Sequence, residues 1–263
     1  MHPSLENTIP STFFDRLRAA ATSALLLDYD GTLAPFQLER DRAYPYPQVV
    51  PLLESILETG RSRVVIVTGR AIADLRPLLD PLPAVEIWGS HGIEHSSADG
   101  KYSHSVIPPE TAASLSDAVS RLTAAGLADR SEIKPGGVAV HWRGLSTDEM
   151  KEVHTSTHNC LRPFMHHPGL KLLEFDGGLE LRVMHPDKGD AVTAILSSCD
   201  PLTPIAYLGD DQTDEAAFCA LNPRGLTILV RHEYRRTSAQ CRLHPPQELF
   251  QFLEQWCDCV TAG

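Results

Sequence analysis

Five short apolar runs, at residues 24–28, 63–67, 85–88, 205–208 and 226–230, confine this chain to a sheet of strands buried on both faces. Between several of them the sequence has a helical period. Val49, Leu52, Leu53, Ile56 and Leu57 recur at helix spacing, as do Ile72, Leu75, Leu78 and Leu79 around the interruption at Pro77. Strands alternating with helices make a parallel α/β sheet, and ligands of such sheets collect beyond the carboxyl ends of the strands. Asp28, Thr68 and Asp210 end or follow three of these runs and are expected at that edge.

Residues 107–185 are patterned differently. Their strands alternate apolar and polar residues, as a sheet with one covered face does, so this stretch is expected to form an inserted domain between two parts of the core, 1–106 and 186–263. One expected helix carries Ala112, Leu115, Val119 and Leu122 on its apolar side; a second, opened by a capping box from Ser146 to Glu149, carries Met150, Val153 and Leu161. Pro108-Pro109 and His185-Pro186 are the expected entry and exit hinges. The first dozen residues are expected to be loosely held.

A length of 263 residues allows one large domain or two small ones, and 42% hydrophobic content is ordinary for a packed core. No apolar run is long enough for a membrane span or follows a basic leader, so a cytoplasmic protein is expected. Six cysteines without a Cys-x-x-Cys pair are expected to be buried thiols. A formal charge of −11 opposes nucleic acid and anionic membranes as partners. The expected partner is a small phosphorylated molecule met by a divalent metal and a few basic side chains; oligomeric state is left open, with a monomer compatible.

If Leu27 ends a strand, Asp28 and Asp30 lie two residues apart and face one pocket, while Tyr29 points away. One carboxylate can attack phosphorus and the other can move protons. Gly31 permits a sharp turn that brings backbone N–H groups to a phosphate, and Thr32 either orients Asp30 or begins the next turn. Thr68-Gly69 can hold a phosphoryl oxygen or simply lead into a helix cap, and Arg70 can be a surface, supporting or substrate-contacting residue. Lys188, after Pro186-Asp187 at a helix start, can pair with Asp28 and phosphate and offset the repulsion between two anions. Asp210, Asp211 and Asp214 put three carboxylates within five residues, which either favour a helix N-terminus or repel one another until a cation joins them. Mg2+ held by Asp28, the Asp30 carbonyl and Asp210, with Asp211 and Asp214 behind them, resolves that repulsion.

These four segments, in this order, resemble the haloacid-dehalogenase (HAD) superfamily of phosphatases. More closely, Leu-Asp-Tyr-Asp-Gly-Thr-Leu at 27–33, Gly-Ser-His-Gly at 89–92, Val-His-Trp-Arg at 140–143, Leu-Glu-Leu-Arg at 179–182 and Gly-Asp-Asp-x-Thr-Asp-Glu at 209–215 are similar to patterns of the trehalose-6-phosphate phosphatases. The resemblance implies a Rossmann-like parallel-sheet core with an inserted mixed α/β cap of the C2 type that grips the sugar. It implies Asp28 as the nucleophile that becomes an aspartyl-phosphate, Asp30 as general acid and base, Thr68, Gly69 and Lys188 as phosphate ligands, and Mg2+ as cofactor. The implied reaction converts trehalose 6-phosphate to trehalose and phosphate.

In the inserted stretch, His141 and Arg143 are expected on one strand face and Glu180 and Arg182 on another. Glu180 would accept hydrogen bonds from sugar hydroxyls, and His141, Arg143 and Lys134 would donate to sugar or phosphate, with His91 and Arg182 as further contacts. Relatives usually carry a lysine a few residues before that glutamate. This chain has Asp176-Gly177-Gly178, which suits a hairpin turn and moves the contact to Lys171 or Lys134. Sucrose 6-phosphate, glucosylglycerol phosphate and mannosylglycerate phosphate remain alternative substrates, a phosphoryl-transferring mutase an alternative reaction, and a non-catalytic sugar-phosphate sensor an alternative role.

Overall fold

The structure, a computed structural model, describes residues 9–80, 82, 85–175 and 177–262. It divides into two compact units, residues 1–103 with 188–263 and residues 104–187. Chain order begins α1 (Ser11–Ala19), β1 (Ser23–Leu27), α2 (Val49–Glu58), β2 (Ser62–Val67), α3 (Ile72–Leu75), β3 (Glu86–Gly89), β4 (Glu94–Ser96) and β5 (Tyr102–His104). It continues through α4 (Pro109–Ala124), β6 (Ser131–Lys134), β7 (Gly137–His141), α5 (Thr147–Leu161), β8 (Leu170–Phe175) and β9 (Gly178–Val183). It ends with α6 (Lys188–Ser197), β10 (Ile205–Gly209), α7 (Glu215–Leu221), β11 (Leu226–Val230), β12 (Cys241–Leu243) and α8 (Gln247–Thr261).

In the first unit eight strands form one sheet in the order β12-β11-β10-β1-β2-β3-β4-β5. Neighbours from β12 to β3 are parallel, and β4 runs antiparallel to β3. All five apolar runs are strands of this sheet. Alternate side chains enter two cores: Leu25, Leu27, Ile66 and Leu208 pack with Leu17 of α1, Leu53 of α2 and Phe252 of α8, whereas Ala24, Leu26, Val65 and Tyr207 pack with Val192 of α6 and Phe218 of α7. Burial from both sides is why these strands read as unbroken apolar runs. The chain adds β2 and β3 on one side of β1 and β10 to β12 on the other, so the direction of winding reverses between β1 and β10. A crevice opens at such a reversal.

Several elements depart from the sequence reading. Pro77 lacks the N–H that an α-helix needs, so α3 stops at Leu75 and continues as a 3-10 turn, Arg76–Leu78. Ser11 and Thr12 already belong to α1, whose Phe13 and Phe14 are buried, so the expected loose start does not extend to them; residues 1–8 lie outside the described residues. Only Cys241 and Cys259 are buried thiols; Cys219 is exposed and the other three are half-buried. Among the described residues no helix is long and apolar enough to cross a membrane.

In the second unit the strands form an antiparallel sheet, β6-β7-β9-β8, on which α4 and α5 pack. The capping box that opens α5 is present: Glu149 N–H donates to Ser146 Oγ at 3.4 Å and Ser146 N–H to Glu149 Oε2 at 2.9 Å. The buried face of α4 is Thr111, Ala118 and Leu122, so of the expected stripe only Leu122 is buried. Small side chains let the helix lie close to the sheet, and Ala112, Leu115 and Val119 turn instead toward a cleft of about 350 Å3 that Ile133 also lines. Likewise α5 buries Thr157 and Leu161 and leaves Met150 exposed.

The α8 helix is fastened to the sheet by Trp256, which is fully buried, lies 5.9 Å from the rings of both Phe13 and Phe252, and donates from Nε1 to Ser62 Oγ at 3.0 Å. Trp256→Ala is expected to lower unfolding stability by about 3–5 kcal/mol in a urea titration, through the cavity and the lost hydrogen bond together.

Candidate active site

Asp28 is the first residue beyond β1, where its N–H still donates to Leu208 O of β10 at 2.8 Å. Lys188 opens α6, and its ammonium lies 2.8 Å from Asp28 Oδ1 and 2.8 Å from Asp214 Oδ1. It is 1% exposed. Tyr207 Oη donates to the same Asp214 oxygen at 2.6 Å, and the N–H groups of Asp210 and Asp211 donate to Asp214 Oδ2 at 3.1 and 3.0 Å. Burial opposes ionisation of Asp214, yet Lys188 and these donors hold its carboxyl below the ordinary range. Asp28 has fewer partners: burial, then repulsion from Asp214, pushes it up to about 8 against the pull of Lys188. Burial also acts to strip the Lys188 proton, but Asp214 and Asp28 outweigh it and raise the ammonium's pKa.

Asp210, 2% exposed, completes the cluster. Oxygens of Asp28, Asp210 and Asp214 lie within 4.8 Å of one another, and Asp210 Oδ1 is buried without a hydrogen-bond partner. Burial and repulsion from Asp28 and Asp214 push Asp210 well above the ordinary carboxylate range. An all-oxygen donor set with an unpaired buried carboxyl oxygen suits a hard cation such as Mg2+. Four donors already occupy Asp214, which leaves Asp28 and Asp210 as the carboxylates able to hold one. Asp211 is half-buried and reaches the cluster through its N–H. Gly31 makes the space: it has φ +79°, and a Cβ there would overlap the Asp210 carboxylate.

The Asp30 carboxylate is paired with Arg70, whose Nε and Nη2 donate to its two oxygens at 2.7 Å each. Arg70 is 2% exposed, donates from Nη1 to Arg40 O at 2.7 Å, and sits 5.4 Å over the Tyr29 ring. Tyr29 points into the core and donates to Ala43 O at 2.7 Å. Arg70 therefore supports Asp30, the task that the sequence offered to Thr32. Thr32 serves the turn instead, with its N–H donating to Tyr29 O at 3.3 Å and its buried Oγ1 unpartnered. The sequence left Arg70 open as a surface, supporting or substrate-contacting residue, and nothing in it places residues 30 and 70 together.

Thr68 follows β2, one strand over from Asp28, and is 1% exposed. Its Oγ1 accepts the Arg70 N–H at 3.1 Å, which leaves the hydroxyl proton to donate. Beside it, Ser90 and His91 both adopt left-handed backbone, φ +47° and +58°, at a cost of about 1–2 kcal/mol each. Ser90 N–H donates to Arg70 O at 2.7 Å, His91 N–H to Thr68 O at 2.9 Å, and Ser90 Oγ to Glu94 Oε2 at 2.6 Å. The turn presses the His91 ring against Gly69, where a Cβ would stand 2.6 Å from the imidazole. Glu94, absent from the sequence reading, also accepts from Tyr102 Oη at 3.0 Å and so anchors this turn.

The remaining candidates lie in the second unit. Strand register puts Glu132, Ala139, Glu180 and Leu173 in one row and Lys134, Gly137, Arg182 and Lys171 in the next, all on one face. His141 belongs to that face and contacts Glu132 at 3.0 Å. His141 and Glu180 thus share a face instead of occupying two. Arg143 lies beyond the end of β7, against Gly177 of the β8–β9 turn; Asp176 lies outside the described residues. Lys134 Nζ is 2.6 Å from Glu180 Oε1 with both side chains buried, Arg182 Nε is 3.8 Å from Glu180 Oε2, and Lys171 pairs with Asp187 at 3.2 Å. Of the two lysines open as replacements, Lys134 is the one beside Glu180.

A family model described as trehalose-phosphatase matches residues 26–247. A trehalose-phosphate phosphatase of Mycobacterium marinum is 32% identical over 87% of this chain, which spans 60% of that relative's length. The C-terminal domain of Candida albicans trehalose-6-phosphate phosphatase has the same fold, with TM-score 0.78 at 17% identity over the whole of both chains. A phosphatase of the HAD superfamily from Bacteroides thetaiotaomicron matches with TM-score 0.60 at 16% identity, over 95% of this chain and 98% of that one. The sheet with its reversal between β1 and β10, the inserted antiparallel unit and the match over residues 26–247 lead to one assignment: a HAD fold, in a chain that belongs to the trehalose-phosphatase family.

Proposed function

We propose that this chain is a Mg2+-dependent phosphatase that hydrolyses a glycosyl phosphate, trehalose 6-phosphate foremost, to free sugar and phosphate. The observation that carries the reading is Lys188, buried and 2.8 Å from both Asp28 and Asp214, beside the unpartnered oxygen of Asp210. A structural ion pair is complete with one acid; this arrangement buries three carboxyls against one ammonium, so the acids beyond the first hold a proton or share a cation. Family membership supports the reaction class, and the names of the relatives support the sugar.

In the first step an Asp28 oxygen bonds to phosphorus as the bond from phosphorus to the sugar oxygen breaks, and Asp30 gives its proton to that departing oxygen. In the second, water attacks the aspartyl-phosphate at phosphorus, Asp30 takes the water's proton, and the bond to Asp28 breaks to release phosphate. Lys188 orients Asp28 and balances the charge of the approaching phosphoryl group, while the Thr68 hydroxyl and Gly69 amide hydrogen-bond its oxygens. Mg2+, held by Asp28 and Asp210, would add positive charge at those oxygens. Both Asp30 oxygens accept from Arg70, which fixes the orientation of the carboxyl. For the sugar we assign the polar sheet face with Lys134, His141, Glu180 and Arg182, where Lys134 stands in for the lysine that relatives place before the glutamate.

A phosphate-release screen should find trehalose 6-phosphate hydrolysed faster than sucrose 6-phosphate and glucosylglycerol-type phosphates, with release abolished by chelation. Asp28→Asn should keep the fold and lose about 10⁴-fold or more in turnover; substantial residual activity in that variant would rule out covalent catalysis by Asp28.

Asp30→Asn and Arg70→Met should each slow hydrolysis of a sugar phosphate by roughly 10²–10⁴-fold, the range of general acid catalysis. With p-nitrophenyl phosphate, whose leaving group needs no proton, formation of the aspartyl-phosphate should slow far less, as read by burst kinetics. Equal losses on both substrates in that step would assign Arg70 to folding alone.

With Asp28 raised to about 8 from an ordinary 3.8, the native chain binds more protons than the unfolded chain between those values. Its contribution to stability is full below the lower value and is lost as pH rises through the upper one; Asp210 acts with the same sign. Mg2+ replaces the bound proton, so the rise in Tm on adding Mg2+ should be larger at about pH 8 than at about pH 5. A gain that is equal or smaller at the higher pH counts against the cation site.

A further inference from the structure

Arg235 lies outside every motif, on the segment between β11 and β12. Its Nε donates to Asp210 O at 3.2 Å, its Nη2 to Asp211 O at 2.6 Å, and its Nη1 to Glu215 Oε1 at 2.6 Å and Arg236 O at 3.0 Å. Its side chain is 17% exposed. The other oxygen of Glu215 accepts the Ser238 N–H at 2.7 Å, which ties the same segment down a second time.

The two carbonyls that Arg235 grips belong to the two residues whose N–H groups Asp214 Oδ2 accepts, at 3.1 and 3.0 Å. The Asp210-Asp211 turn is therefore clasped from both sides, its N–H groups by a carboxylate and its carbonyls by a guanidinium. With the backbone fixed in this way, the Asp210 carboxylate keeps only its side-chain torsions. One of its buried oxygens is left without a hydrogen-bond partner. A planar fork of five donors can meet two carbonyls and a carboxylate at once, whereas an ammonium is a point charge that cannot span them.

We infer that Arg235 is a positioning residue for the cation site: it sets the Asp210-Asp211 turn so that Asp210 is aimed before the cation arrives. The inference rests on the reading of the acidic cluster as a Mg2+ site. Partners that orient a ligand from behind carry about 10–100-fold in metal affinity. Removing the clasp moves that cost into the binding step.

The test uses the whole chain with Arg235→Met, Arg235→Lys and Glu215→Gln, each checked for fold by far-UV circular dichroism, and Mg2+ alone as the probe in calorimetric titration. The expected result is a Kd for Mg2+ raised about tenfold or more in Arg235→Met, with no rescue in Arg235→Lys. Glu215→Gln, which keeps the guanidinium but loosens it, should give a smaller rise and keeps the question open to measurement if the arginine variants fail to fold. Turnover of Arg235→Met should recover toward wild type at saturating Mg2+, which a general loss of packing would not allow. A folded Arg235→Met with unchanged Mg2+ affinity, whatever its Tm, overturns the inference. Wild-type protein that shows no Mg2+ binding removes the cation reading itself, and the inference with it.

Discussion

The first unit is organised around one buried ammonium shared by two buried acids. Removing Lys188, Asp28 and Asp214 from water costs several kcal/mol per ion, and attraction alone does not repay it unless every remaining donor and acceptor is used. Asp214 meets that condition through Tyr207 and two backbone N–H groups. Asp28 and Asp210 do not meet it. The polypeptide therefore stabilises the Asp214 anion fully and leaves Asp28 and Asp210 to hold protons or a cation.

The sheet makes this possible. Asp28 and Asp210 end adjacent parallel strands, and Thr68 ends the strand on the other side of β1, so three residues far apart in sequence fall along one edge. Lys188 arrives on the helix that resumes the unit after residues 104–187. Because strand pairing sets these positions, the geometry is inherited from the hydrophobic cores that fix the register.

Much of this was legible in the sequence because fully buried parallel strands and acidic residues at their ends leave a strong local pattern. Asp28 and the acidic cluster of Asp210 and Asp214 announced themselves in that way, and Lys188, a lone lysine at a helix start, was legible only beside them. The partner of Arg70, and Arg235 altogether, were not legible, since these side chains act through contacts 40 and roughly 20 to 25 residues away in sequence, which no periodicity encodes. The strands β4, β5 and β12 were missed because three residues are too few to show a period. The buried side of α4 was read in part: Leu122 is buried as expected, but Thr111 and Ala118 join it in place of Ala112, Leu115 and Val119. The polar face of the second sheet was half legible: alternation identified Glu180 and Arg182, but only the register of β6 against β7 and β9 reveals that Lys134 and His141 share it.

The missing side chain at Gly31 links two distant positions in heredity as well as in space. Any residue larger than glycine there would collide with the acid at 210 and would have to hold φ +79° besides. A descendant of this chain that gains a side chain at position 31 must also move, shorten or lose the one at 210, and with it the geometry of the acidic cluster. The dependence runs one way: the acid at 210 restricts what position 31 can become, whereas glycine at 31 places no steric limit on 210.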